Sequence, residues 1–219
     1  MSILTIKAAR AETSGDISNR NTKMNGTTLG LSTDFCDVGG ELSKIVGSVC
    51  HRCYAKRGSG CYPNVAEGRR RNTIAVLNGI AKDKLKSWTE AMVFLIKIRS
   101  KLGFHRWHDS GDLQGPIHYR AIINIARELP DISFWLPTKE KKLVSRYKGV
   151  LPDNLCVRLS GAMVDGLPPV VGRGITTSTV HKEGTGYGFV CPAPVQGGAC
   201  LDCIACYNKN VSNVSYHKH

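Results

Sequence analysis

Eight of the nine cysteines in this 219-residue chain fall into two groups. The C-terminal group is Cys191, Cys200, Cys203 and Cys206, a C-x2-C-x2-C run with Cys191-Pro192 upstream. Two-residue gaps let successive thiolates converge on one metal centre while the backbone wraps around it. This is the spacing of ferredoxin-type cluster loops, in which a Cys-Pro pair supplies a further ligand. Here the Cys-Pro precedes the triplet instead of following it. A structural four-cysteine zinc site normally uses two separated C-x2-C pairs, so three cysteines in tandem favour iron–sulfur over the zinc alternative. Gly197 and Gly198 allow a tight turn, and Pro192 and Pro194 stiffen the entry. The N-terminal group is Cys36, Cys50, Cys53 and Cys61, built around CHRCYA at 50–55. A lone C-x2-C pair serves zinc knuckles, redox dithiols and clusters alike, but a dithiol has no use for the flanking Cys36 and Cys61. The ninth, Cys156 in LCVRL, reads as a buried free thiol.

A second set of polar residues lies between the groups. His105, His108, Asp109 and Asp112 fall within eight residues at a strand end, where His108, Asp109 and Asp112 would exchange protons or hold a substrate. The structural alternative is a hydrogen-bonded turn. Arg158 alternates with apolar neighbours in a strand and points into the interior. There it would meet a ligand or pair with Asp109 or Asp112. Lys139 begins a basic stretch and would bind an anion or, as the preferred reading, start a solvated helix. Thr177, Ser178 and Thr179 bond a ligand or fill a strand. Trp107 and Trp135 read as core rather than base-stacking platforms. His217 and His219 read as a frayed tail.

These residues must be positioned by alternating elements. The spacing predicts a polar arm over 1–26, a first strand at 27–33, a cysteine loop over 36–62 and helices over 64–78 and 83–102. The second helix carries Leu85, Trp88, Met92, Leu95 and Leu102 on one face. Strands at 104–108, 132–136, 155–159 and 175–180 alternate with helices from Pro116 and over 139–147. The helix from Pro116 places Ile117, Ala121, Ile125 and Leu129 on one face. Strand–helix alternation implies a parallel α/β sheet, with ligands at the carboxyl ends of its strands. The organisation expected is the arm, an α/β core over 27–182 with its cluster loop at 36–61, and a Cys-rich segment over 183–219. That last segment shows no clear helix or strand and would be ordered by metal ligation.

Composition narrows the classes. No run approaches the roughly 20 apolar residues of a membrane span, and the N-terminus has no secretory pattern. A cytoplasmic location follows as the default, and there nine cysteines are not a disulfide framework. The net charge is +13. Two anionic clusters at roughly −2 each would offset only about 4 of it, which leaves nucleic acid as a partner class. An electron-donor protein is a further expected partner.

Several motifs coincide with the radical S-adenosylmethionine superfamily. Cys53-Tyr54-Ala55 is similar to its aromatic after the last cluster cysteine, and Ser110-Gly111-Asp112 falls where it holds the methionine amino group. The resemblance implies a partial (β/α) barrel and a catalytic four-iron cluster on Cys36, Cys50 and Cys53. It further implies a cosubstrate site involving Tyr54, Ser110, Gly111, Asp112 and Arg158, and an auxiliary C-terminal cluster. The spacing here is C-x13-C-x2-C where C-x3-C-x2-C is usual, and with Cys61 as a fourth ligand no iron would stay open. Gly39-Gly40-Glu41 imitates the methionine-binding triplet but precedes the C-x2-C pair. More closely, STDFC, CHRCYA, RWHDSGD, FWLPTKE, STVHK and the ending NVSYHKH resemble the phage "gene product eighty-eight" family, over residues 27–219. That family brings no established activity. The expected function is redox or radical chemistry on an unknown substrate. The alternative is a non-catalytic iron–sulfur or zinc protein that binds nucleic acid or a protein.

Overall fold

The computed structural model describes residues 5–18, 23–82, 85–172, 174–182 and 186–218. Seven strands form one open, wholly parallel sheet: β1 (Thr27–Leu29), β2 (Phe104–Trp107), β3 (Ser133–Thr138), β4 (Leu155–Val164), β5 (Thr176–His181), β6 (Phe189–Val190) and β7 (Asn213–His217). The order is β1-β2-β3-β4-β5-β7-β6. Its first five strands follow chain order without reversal. Each crossover therefore steps the same way, and its helices land on one face.

That face carries the apolar core. Leu29, Trp107, Phe134, Leu136, Leu155 and Val157 share it by register. They pack against α3 (Pro63–Ala81), α4 (Leu85–Arg99) and α5 (Pro116–Glu128). Leu95, Ile96, Ile122 and Ile125 are fully buried, each contributing roughly 1.5–3 kcal/mol. The predicted stripe on α4 holds for Leu85, Trp88, Met92 and Leu95. Leu102 lies beyond the helix end and is exposed. On α5, Ile117 is exposed, and Ile122, Ile123 and Ala126 widen the buried face.

The opposite face holds Arg106, Trp135, Cys156 and Arg158. It is covered by the C-terminal segment, whose Tyr207 packs edge-on to Trp135 and against Phe104. The core thus occupies one side of the sheet and the cysteine chemistry the other.

Two expectations are corrected. The N-terminal arm contains α1 (Ile6–Thr13), capped by the Thr5 hydroxyl, which accepts from Ala8 N at 3.1 Å. Arg10 and Arg99 both donate to Asp16, which fastens this end to α4. Alternating polar and small residues hid the helix, since only Ala9 and Thr13 of it are buried. The last thirty residues are not without strands: β7 inserts between β5 and β6. His217 lies in β7 with its ring 5.3 Å from that of His181, and His219 lies outside the described residues.

Candidate functional site

After β1 the chain spreads across the carboxyl ends of the neighbouring strands. Leu31 N donates to Ser110 O after β2 (2.8 Å), and Val38 N to the Glu140 carboxylate after β3 (3.1 Å). Val49 N donates to Ala162 O of β4 (2.9 Å), and Val164 N returns a bond to Gly47 O (3.0 Å). These ties bring Cys36, Cys50 and Cys53 into mutual electrostatic reach. The short helix α2 (Val38–Ser43) lies against them. A Cβ on Gly39 would stand 3.3 Å from Cys36 Cβ and 3.6 Å from Cys50 Sγ, so the glycine lets the helix close on the thiols. Of Gly39-Gly40-Glu41, only Gly39 faces the thiols; Gly40 has open space around it and Glu41 pairs with Lys44 at the surface. Cys61 is elsewhere: it is exposed and its thiol donates to Lys56 O at 2.8 Å.

Burial, then the charges of Asp112, Cys53, Cys50 and Glu140, push the Cys36 thiol up to about 12. Burial also raises Cys50, against the attraction of Lys139. Lys139 is the correction with most consequence. It is not a solvated helix start; its ammonium is partly buried, donates to Gly161 O at 2.7 Å and acts on Cys50, Asp112, Cys53 and Cys36. Burial lowers its pKa, and those four groups offset part of the shift. Lysines that follow it in sequence (Lys141, Lys142) are exposed on α6 (Lys141–Arg146), and nothing in the local pattern distinguishes Lys139 from them.

The second strand end is built as follows. Asp112 accepts from Leu113 N (2.7 Å), the Thr138 hydroxyl (2.6 Å) and Lys139 N (2.8 Å), joining the loop after β2 to the end of β3. Burial raises its pKa despite those bonds. Gly111 has φ +76°, and a Cβ there would lie 2.6 Å from Leu31 Cβ and 2.8 Å from its carbonyl. The Ser110 hydroxyl and one Asp109 oxygen are buried without a partner. His108 is turned away from the thiols, into the helix-facing layer. At φ +53° it packs beside Trp107 and His118, ring centroids 6.3 and 5.4 Å away. The structure thus places Asp112 beside the thiols and His108 in the core.

Tyr54 donates its hydroxyl to Asp109 O and accepts from Arg106 at 3.2 Å. The Arg106 guanidinium stacks 4.3 Å from the Trp135 ring, and its charge reaches Cys200 and Cys206. Arg106 therefore bridges the two cysteine regions, a role its alternation in FHRW did not announce.

The C-terminal group is gathered on the same face. Cys191, Cys200, Cys203 and Cys206 line one recess with Met24, Trp135, Phe189 and Tyr207. Gly197 (φ +64°) and Gly198 (φ +81°) make the turn between the first two cysteines. Cys206 Sγ lies 3.2 Å from the Tyr216 hydroxyl. Burial pushes its thiol up to about 12, against that bond and the charges of Arg158 and Arg106. Arg158, fully buried, pairs with neither Asp109 nor Asp112. It donates instead to the carbonyls of Cys206 (3.0 Å), Thr177 (3.1 Å), Val211 (2.9 Å), Ala205 (2.7 Å) and Asn208 (2.9 Å). A guanidinium has five N–H donors; four hold the cysteine segment and one ties it to β5 at Thr177. Thr177, Ser178 and Thr179 are likewise spent within the sheet, on Asn213, Ser160 and Ser215. Cys156 is buried beside Thr176.

Among the described residues, no three His, Cys, Asp or Glu side chains converge closely enough to hold a single ion. No helix among them is long and apolar enough to cross a membrane. A family model described as gene product 88 matches residues 21–185. The chain belongs to the gene product 88 family of phage proteins. Neither a curated protein nor a solved structure matches it. The matched span takes in the N-terminal thiols, Lys139 and Arg158. It stops short of the four C-terminal cysteines, so the segment that Arg158 holds lies outside the match.

Proposed function

We propose that this phage protein binds two iron–sulfur clusters and carries out redox or radical chemistry of the S-adenosylmethionine type. The observation that carries the reading is that Cys36, Cys50 and Cys53 lie within electrostatic reach of one another, whereas Cys61 is exposed and bonded to Lys56 O. Three thiols at the carboxyl ends of the strands leave one corner of a four-iron cluster free for a cosubstrate, whereas four would close it. Bound there, the group would supply electron transfer to a ligand at its open corner.

The chain's own residues do the rest. Lys139 sets a positive charge beside the thiols and works against the burial that raises Cys50. Asp112, through Thr138 and the Lys139 amide, fixes that lysine's backbone relative to the strand ends. Gly39 lets α2 shield Cys36 and Cys50 from water. Cys191, Cys200, Cys203 and Cys206 suit a closed site for electron transfer or structure, beneath Arg106 and Tyr216.

Anaerobic purification with iron and sulfide analysis tests the reading. The expected result is about eight irons per chain. Cys53→Ser should lose about half, and Cys61→Ser none. Reduced protein should cleave S-adenosylmethionine to 5′-deoxyadenosine. Stoichiometric zinc in place of iron, or equal iron loss from Cys53→Ser and Cys61→Ser, would overturn it.

A further inference from the structure

The loop that carries Cys50 and Cys53 continues into a strongly basic surface that none of the above uses. Residues 51–71 hold Arg52, Lys56, Arg57, Arg69, Arg70 and Arg71 against the single acid Glu67, five of the chain's thirteen net positive charges. Arg52, Lys56, Arg57, Arg70 and Arg71 are exposed. Among the described residues, Arg52, Arg57 and Arg71 have no carboxylate partner; Lys56 and Arg70 reach Asp34 and Glu67 only in exposed pairs. Arg69 is spent inward, donating to Ala55 O at 3.2 Å, and so stiffens the loop under the other charges.

Aromatic rings interleave with these charges. Tyr62 is 63% exposed and Tyr54 54%. Tyr54 is anchored at its hydroxyl between Asp109 O and Arg106, which fixes an exposed ring without side-chain freedom to lose. Tyr62 immediately precedes the nineteen-residue helix α3, whose first turn carries no acid. Exposed cations interspersed with exposed rings along one stretch match the phosphates and unstacked bases of a single strand. A duplex hides its base faces and offers only the charges.

We infer that the 51–71 surface binds single-stranded nucleic acid, DNA or RNA, and lays it across the mouth of the three-thiol site. In naming a substrate class for that site the inference rests on the reading above, but binding itself needs no cluster. The patch has the two parts a sequence-tolerant strand platform requires, and its loop supplies two of the site's three thiols.

The test is fluorescence anisotropy of the whole chain with a labelled strand of about 15 nucleotides, as DNA, as RNA and as duplex, across a salt series. Joint Arg52→Ala, Arg57→Ala and Arg71→Ala substitution should flatten the slope of log affinity against log salt by about 2, at roughly 0.7 per lost phosphate contact. Tyr62→Ala should weaken the single strand about tenfold or more and leave duplex binding unchanged. A triple change on α6 and beyond it, Lys141→Ala, Lys142→Ala and Lys148→Ala, should alter neither. Duplex or heparin bound as tightly as the single strand would overturn the inference, as would equal losses from both triple variants or no effect of Tyr62→Ala. The DNA and RNA arms identify which strand is preferred. Iron analysis of the unaltered chain beside the binding assay separates the two readings. Anaerobically purified protein that binds the strand but holds no iron sinks only the cluster proposal, and iron-loaded protein that binds no strand sinks only this one.

Discussion

The two cysteine regions are held by opposite means. The N-terminal loop is tied to the ends of β2, β3 and β4 by separate backbone and carboxylate bonds from Leu31, Val38, Val49 and Val164, no one of which is decisive. The C-terminal segment has its main anchor in one side chain, the buried Arg158, whose donors take four of its carbonyls, beside single bonds from Asn25 to Leu201 O, from Tyr207 to Asn25 O and from Lys209 to Pro152 O. Distributed attachment suits a site that opens to ligands, because any single bond can yield. Concentrated attachment suits a closed one, where the guanidinium locks the segment as a unit. The ligand counts proposed above run the same way, three against four.

Acid should erase the contrast and have the largest effect. Burial pushes His105 and His118 down to about 3. It lowers His108 well below the ordinary value, with the charges of His118, His105 and Arg106 adding. With folded values below unfolded ones, the unfolded chain binds more protons as pH falls. Stability is therefore complete above about pH 6.5 and drains toward pH 3, by about 1.4 kcal/mol per pH unit for each histidine, or about 4 for the three. Urea unfolding at pH 7, 6 and 5 should show both cysteine regions released together; a flat profile would contradict the buried neutral histidines.

Arg158→Met should separate the regions. It strands the buried carbonyls of Ala205, Cys206, Asn208 and Val211, at a cost of about 3–5 kcal/mol. Hydrogen exchange should accelerate over 200–211 and leave 31–50 protected. Equal acceleration in both would show that the attachment is not concentrated. Gly111→Ala should give the converse at about 2–3 kcal/mol, since a side chain at φ +76° meets the Leu31 backbone. Loosening should then be confined to the N-terminal loop. A melting temperature unchanged by this substitution would remove the close approach from the account.

Much of the frame was legible in sequence. Period-3.6 stripes marked α4 and α5, and short runs rich in β-branched and aromatic residues marked β2 through β5. What escaped was decided by tertiary context. β7 carries NVSYH, a half-polar run that becomes a strand only because β5 and β6 flank it. Lys139 resembles its exposed neighbours until the strand ends converge around it. Arg158 was legible as a buried cation needing partners. The expected partners were carboxylates, however, and backbone carbonyls supplied by a loop almost fifty residues away left no pattern to read. The separation of Cys61 likewise depends on a helical turn, Gly58–Cys61, that aims it at Lys56.

The placement of β7 between β5 and β6 fixes an order of assembly. During synthesis β5 emerges with an unsatisfied edge, and that edge stays open until residues 213–217 leave the ribosome. Every thiol of the C-terminal recess precedes β7 in the chain. The loop bearing them must therefore be laid over the sheet and set against Arg158 as the final strand zips in. Completion of the sheet and closure of the recess are one event, and a chain stalled before that strand would display an adhesive edge and four loose thiols at once.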